Sequence, residues 1–150
     1  MEKVVKIGTF TGLLLPIGLA ILGGFENSIS LYLYTNIYTR IYLETSLAVV
    51  SLGFIFNGKN RFTLSGVLLL LVAFIGCKEY PYIHSISAIA FFIVTAVRIT
   101  KDKRFGVIGY IMFSVAPLGL FSIYWAEVIL LELIVLFNLL YIFKTNKLNK

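Results

Sequence analysis

Six apolar runs, at 8–25, 40–56, 62–77, 82–97, 106–122 and 123–143, follow one another along the chain with mostly short polar breaks between them. Each holds about 16–21 residues, close to the roughly 20 that an α-helix needs to cross a hydrocarbon core about 30 Å thick. Several are slightly short, which suits a thin or locally thinned bilayer. The pattern predicts an all-α, polytopic integral membrane protein, a single domain of six transmembrane helices over residues 1–150. Composition agrees: 59% of residues are hydrophobic and 13% charged, with a mean hydropathy of +0.95. A water-soluble domain carries about a quarter charged residues.

The charges set an expected orientation. Lys3 and Lys6 precede the first run, and Lys59 and Arg61 lie between the second and third. Arg98, Lys101, Lys103 and Arg104 separate the fourth and fifth, and Lys144, Lys147 and Lys150 follow the sixth. If six spans alternate, all of these fall on one side, leaving only Arg40 and Lys78 of the 13 basic residues on the other. By the positive-inside rule both termini are expected in the cytoplasm. A five-span arrangement would scatter the clusters over both faces. The net charge of +6 therefore reads as topogenic, with no basic stripe for nucleic acid. The first run contains Pro16 and leads into further spans, so it is expected to be a transmembrane helix and not a cleaved signal.

Cys77 is the only cysteine and His84 the only histidine, so no intrachain disulfide and no Cys- or His-cluster zinc site is expected. No metal or cofactor is assigned. Glycines in the first and fifth runs let backbones approach closely, and Pro16 and Pro117 are expected to disturb their helices. Lys78 and Glu79 read as part of a tight hairpin with Pro81, and Cys77 as packing. The longest connection, 26–39, carries Ser28, Ser30, Tyr32 and Thr35 and is expected to form a lid or interfacial segment over the outer end of the bundle.

The candidate site residues are the ionisable groups that the even-numbered spans bring to one depth. Arg40 and Glu44 open the second span, His84 the fourth, and Glu127 and Glu132 the sixth. Arg40 and Glu44 are four apart and share a helix face. Glu127 and Glu132 are five apart, so their directions differ by roughly 140°; the spacing does not say which one faces the bundle interior. A charged acid at the bilayer centre costs about 2.5–3.5 kcal/mol, so Glu132 should face protein, pair or stay protonated. Asn138 has the means to bond across to a neighbouring helix. The bland readings are an interfacial ion pair, a headgroup-level histidine and a solvated rim acid.

Two stretches carry a resemblance. Residues 28–35 (SISLYLYT) followed by Arg40, and residues 84–92 (HSISAIAFF), with Glu132 or Glu127 in the last helix, resemble motifs of small bacterial six-helix membrane proteins of unknown function. These are distantly similar to the Frag/DRAM/Sfk family. Arg40 stands about two residues further from the serines than that pattern has it, and Ile41 replaces an acidic residue. The resemblance implies a multi-pass protein of the bacterial inner (plasma) membrane. By fold-level analogy it reaches alkaline ceramidases, whose zinc is held by several histidines; a chain with one histidine does not inherit that activity.

Three function classes stay open. One is an outer cavity lined by Arg40, Glu44, His84 and Glu132 that binds or remodels a lipid or small amphiphile. Another is a non-catalytic subunit or scaffold, as a homo-oligomer or with a protein partner. The third is an oligomeric channel or proton-coupled carrier using Glu132. No serine has the spacing of a nucleophile elbow or triad, so an enzyme is the less favoured reading.

Overall fold

The computed structural model describes residues 2–56 and 62–148, with side chains described for 3–56 and 62–142. Lys59, Arg61 and Lys150 lie outside the described residues, as do the side chains of Lys144 and Lys147. The described residues form six α-helices: α1 (Glu2–Gly23), α2 (Ile37–Ile55), α3 (Thr63–Phe74), α4 (Pro81–Thr100), α5 (Gly106–Val115) and α6 (Ile123–Leu148). Two 3-10 segments, Ile29–Leu33 and Ala116–Leu120, complete the fold. Each helix packs on its neighbours in sequence and α6 returns to α1, which closes the bundle. The first 3-10 segment is held at one end, against α1, α2 and α6.

Three helices are long and apolar enough to cross a membrane: Lys3–Gly23, Pro81–Thr100 and Ile123–Ile142. The other three differ for physical reasons. α2 reaches a similar length, but Arg40, Glu44 and its hydroxyl residues lower its hydropathy. α3 covers only 12 residues of the expected 62–77, about 18 Å of helix, because the chain is already extended at Ile75 (φ −93°, ψ 108°). The expected run 106–122 is helical only to Val115 and continues as the 3-10 segment. Pro117 stands near its start, where a residue without an N–H no longer breaks an α-helical ladder. Pro16, by contrast, lies inside an unbroken α1. α2 starts before Arg40 because Asn36 caps it: its side chain accepts from Thr39 N (2.9 Å) while Thr39 Oγ1 accepts from Asn36 N (3.2 Å).

The bundle is apolar outside as well as inside, unlike a water-soluble one. Along α1, Ile7, Phe10, Leu14, Ile17 and Ile21 form an exposed stripe at helical spacing, while Leu15 and Leu19 on another face are completely buried. A helix that is apolar on both faces is suited to an apolar surround. Between α1 and α2 the approach is backbone on backbone: a Cβ on Gly8 would lie 3.1 Å from Gly53 Cα. At the far end of α1, Gly24 takes φ +74°, a left-handed conformation that glycine adopts without strain, and turns the chain toward the 3-10 segment.

Candidate functional site

The 3-10 segment Ile29–Leu33 is a folded element with its own caps. Ser28 holds an extended backbone (φ −156°, ψ 150°), and its Oγ accepts from Ser30 N at 3.2 Å. The same hydroxyl donates to Glu127 Oε2 at 3.0 Å, and Ile29 N donates to that oxygen at 2.7 Å. The Glu127 carboxylate thus sits at the segment's N-terminus, where N–H groups lack intrahelical partners. Tyr124 N donates to Asn27 O (3.0 Å), so the first turn of α6 is tied to the connection at two levels.

On the other side of the segment stands His84, only 5% exposed. Its Nδ1 lies 2.6 Å from the Ile75 carbonyl and its Nε2 2.7 Å from Ser30 Oγ. A carbonyl only accepts, so Nδ1 carries a proton; in the neutral ring Nε2 then accepts from the Ser30 hydroxyl. The tautomer follows from the partners. Cys77 Sγ points to the Ser30 carbonyl at 3.7 Å. Tyr32, completely buried, donates its hydroxyl to Gly24 O, and Thr39 Oγ1 donates to Tyr32 O at 2.8 Å. Thr35 donates to Glu26 at 2.9 Å. Burial pushes the Tyr32 phenol up to about 12.

Beneath this network lies a cavity of about 50 Å³. Ser30, His84 and Glu127 contribute the polar groups in its wall, and Leu15, Leu43, Leu69 and Phe91 are among the apolar ones. A second, larger recess of about 240 Å³ lies between α2 and the α3–α4 connection. Arg40 and Glu44 pair there, Nε to Oε1 at 2.9 Å. Tyr34 donates its hydroxyl to Glu79 and accepts from Lys78 N (3.1 Å), while the Lys78 ammonium sits 4.4 Å from the Tyr34 ring centre. The Tyr34 hydrogen bond holds the Glu79 carboxyl below its usual range. Leu33 lines both the cavity and the recess.

The five candidates therefore fall into three places. His84 and Glu127 meet around Ser30 and Ser28; Arg40 and Glu44 share the recess; Glu132 lines neither. Glu132 is half-buried and makes no hydrogen bond or ion pair among the described residues. Tyr34 and Glu79 were missed as a pair because they stand 45 positions apart. The Ile75 carbonyl, which orients His84, is a backbone group with no signal in residue identity.

Comparison with known proteins adds no relative: no family model, no curated protein and no solved structure matches the chain.

Proposed function

We propose that this chain is a six-pass membrane protein, with both termini in the cytoplasm, that binds a lipid or another amphiphile at the end of the bundle carrying Ile29–Leu33. One observation carries the reading: an apolar cavity inside the bundle ends in three polar side chains, Ser30, His84 and Glu127. Ligand sites commonly combine a mostly apolar wall with a few placed polar groups. The 3-10 segment forms part of the wall, so a chain longer than the present 50 Å³ admits enters as that segment shifts. The one-sided distribution of basic residues supports the six-span orientation, with α3 and α5 crossing where protein thins the bilayer.

Native mass spectrometry of gently extracted protein tests the binding, with Ala88→Phe as the comparison. Ala88 lines the cavity, and a phenyl ring there fills it. A defined adduct on the wild type that is lost from the variant is the expected result. Identical spectra for the two proteins sink the reading.

A second reading rests on Glu132. An intramembrane carboxyl without a partner is costly, and a donor from a second copy or another membrane protein would satisfy it. Glu132→Gln then lowers the stoichiometry of the extracted complex. Proton or ion flux in liposomes that disappears in the same variant would instead indicate a carrier.

A further inference from the structure

The polar recess has an unusual balance of charge for a membrane-facing surface. Its lining includes one cation, Arg40, and two carboxylates, Glu44 and Glu79. Arg40 uses only Nε in its bond to Glu44, leaving the two terminal nitrogens of the guanidinium without a hydrogen bond among the described residues. Those two nitrogens form a planar fork that matches a phosphate edge. Glu44 and Glu79 each engage one carboxylate oxygen, with Arg40 and Tyr34 respectively, and each keeps the other for a donor. Tyr80 brings an exposed ring to the same wall.

From this arrangement we propose that the recess binds the phosphoethanolamine headgroup of a membrane lipid, with phosphate on the Arg40 fork and the primary ammonium on Glu79 and Glu44. The proposal rests on the amphiphile reading above and places the headgroup of that amphiphile in the recess that adjoins the cavity at Leu33. Volume is compatible: the recess measures about 240 Å³, well above the roughly 10–15 Å³ that one water requires. Because Leu33 lines both spaces, a headgroup held in the recess has its acyl chains beside the apolar cavity.

The same chemistry argues against the other common headgroups. An anionic glycerol headgroup has no ammonium, so Glu44 and Glu79 would face its phosphate with like charge. A quaternary choline cannot donate hydrogen bonds and is held by aromatic faces. Of the two tyrosine rings here, that of Tyr34 already carries the Lys78 ammonium.

The test is native mass spectrometry of the full chain in detergent, loaded with equimolar phosphatidylethanolamine, phosphatidylcholine and phosphatidylglycerol of identical acyl chains. The ethanolamine lipid is expected to dominate the adducts. Arg40→Gln, at a side chain 57% exposed, should keep the fold, checked by an unchanged unfolding temperature, and lose about tenfold in retention of that lipid. Glu79→Gln should lower retention of the ethanolamine lipid without lowering that of the other two. Equal retention of the three lipids, or unchanged retention in Arg40→Gln, overturns the headgroup assignment. If those equal adducts still vanish in Ala88→Phe, the amphiphile reading survives without it. Soluble glycerophosphoethanolamine that displaces the lipid at equal concentration would overturn the lipid as the source of the group.

Discussion

The two ends of the bundle are built on different principles. At the end carrying Ile29–Leu33, side chains from α4 and α6 and the connections between helices meet in hydrogen bonds: Glu127 to Ser28 and Ile29, His84 to Ser30 and Ile75, Tyr34 to Glu79. Toward the other end, rings do the joining. Phe54 lies 5.9 Å from Phe62 and 6.0 Å from Phe91, and Phe137 lies 5.8 Å from Phe62 and 6.3 Å from Phe105. Directional bonds fix where groups stand, while ring packing supplies cohesion with little positional chemistry. An end held by hydrogen bonds can open when a ligand replaces those bonds. The contacts among the phenylalanine rings offer no such bonds to exchange.

The largest expected effect breaks the aromatic end. Phe54 is 4% exposed and touches the rings of both Phe62 and Phe91. Phe54→Ala should cost about 3–5 kcal/mol through lost contacts and the cavity left behind. Unfolding in mixed micelles, followed by circular dichroism against denaturant, measures it. A loss below about 1 kcal/mol would mean that the rings do not carry the stability of this end.

Next in size is the link between Glu127 and the 3-10 segment. Glu127→Gln keeps the shape but loses the charge that strengthens the bonds from Ser28 Oγ and Ile29 N, an expected cost of about 1.5–3 kcal/mol. The effect should be local. Limited proteolysis within 26–39 should accelerate while the ends of α3 and α4 stay protected, since a connection that loses one of its anchors opens locally before the whole fold. Uniform acceleration over the chain would show that the two ends do not behave as separate parts.

The contrast also separates what the sequence made legible from what it did not. The helices were readable, because apolar runs are local: each expected run overlaps one helix, although α2 starts earlier than expected, at the Asn36 cap, and α5 stops earlier, ahead of Pro117. The i, i+4 pairing of Arg40 with Glu44 was readable for the same reason. The short extent of α3 was not, since Ile75, Gly76 and Cys77 continue its apolar composition after the helix has ended. Nor was the grouping of the candidates. Ser28 and Glu127 are 99 positions apart, and Ser30 and His84 are 54 apart. Composition puts such residues at one depth, but only the path of the connection 26–39 decides which of them touch.

The smallest effect belongs to Glu79, and its value lies in its sign. Glu79 is exposed, so Glu79→Gln should change stability at neutral pH only slightly, as surface substitutions do. The hydrogen bond from Tyr34 holds the folded-state carboxyl below its ordinary value. A carboxylate depressed in the folded state stabilises above its unfolded pKa, and that contribution fades as pH falls through the folded value. The difference between wild type and Glu79→Gln should therefore be constant near neutrality and close once the medium is more acidic than about pH 4, the ordinary range of a glutamate. Paired unfolding curves across that interval measure it. A difference that instead grew on acidification would place the proton the other way round, with Glu79 stabilised in its neutral form. The recess would then hold one carboxylate fewer at low pH, and the Arg40 guanidinium would dominate its field. The contrast between the ends would sharpen, because the hydrogen-bonded end would change its ligand preference with pH while the ring contacts among Phe54, Phe62, Phe91, Phe105 and Phe137 would stay as they are.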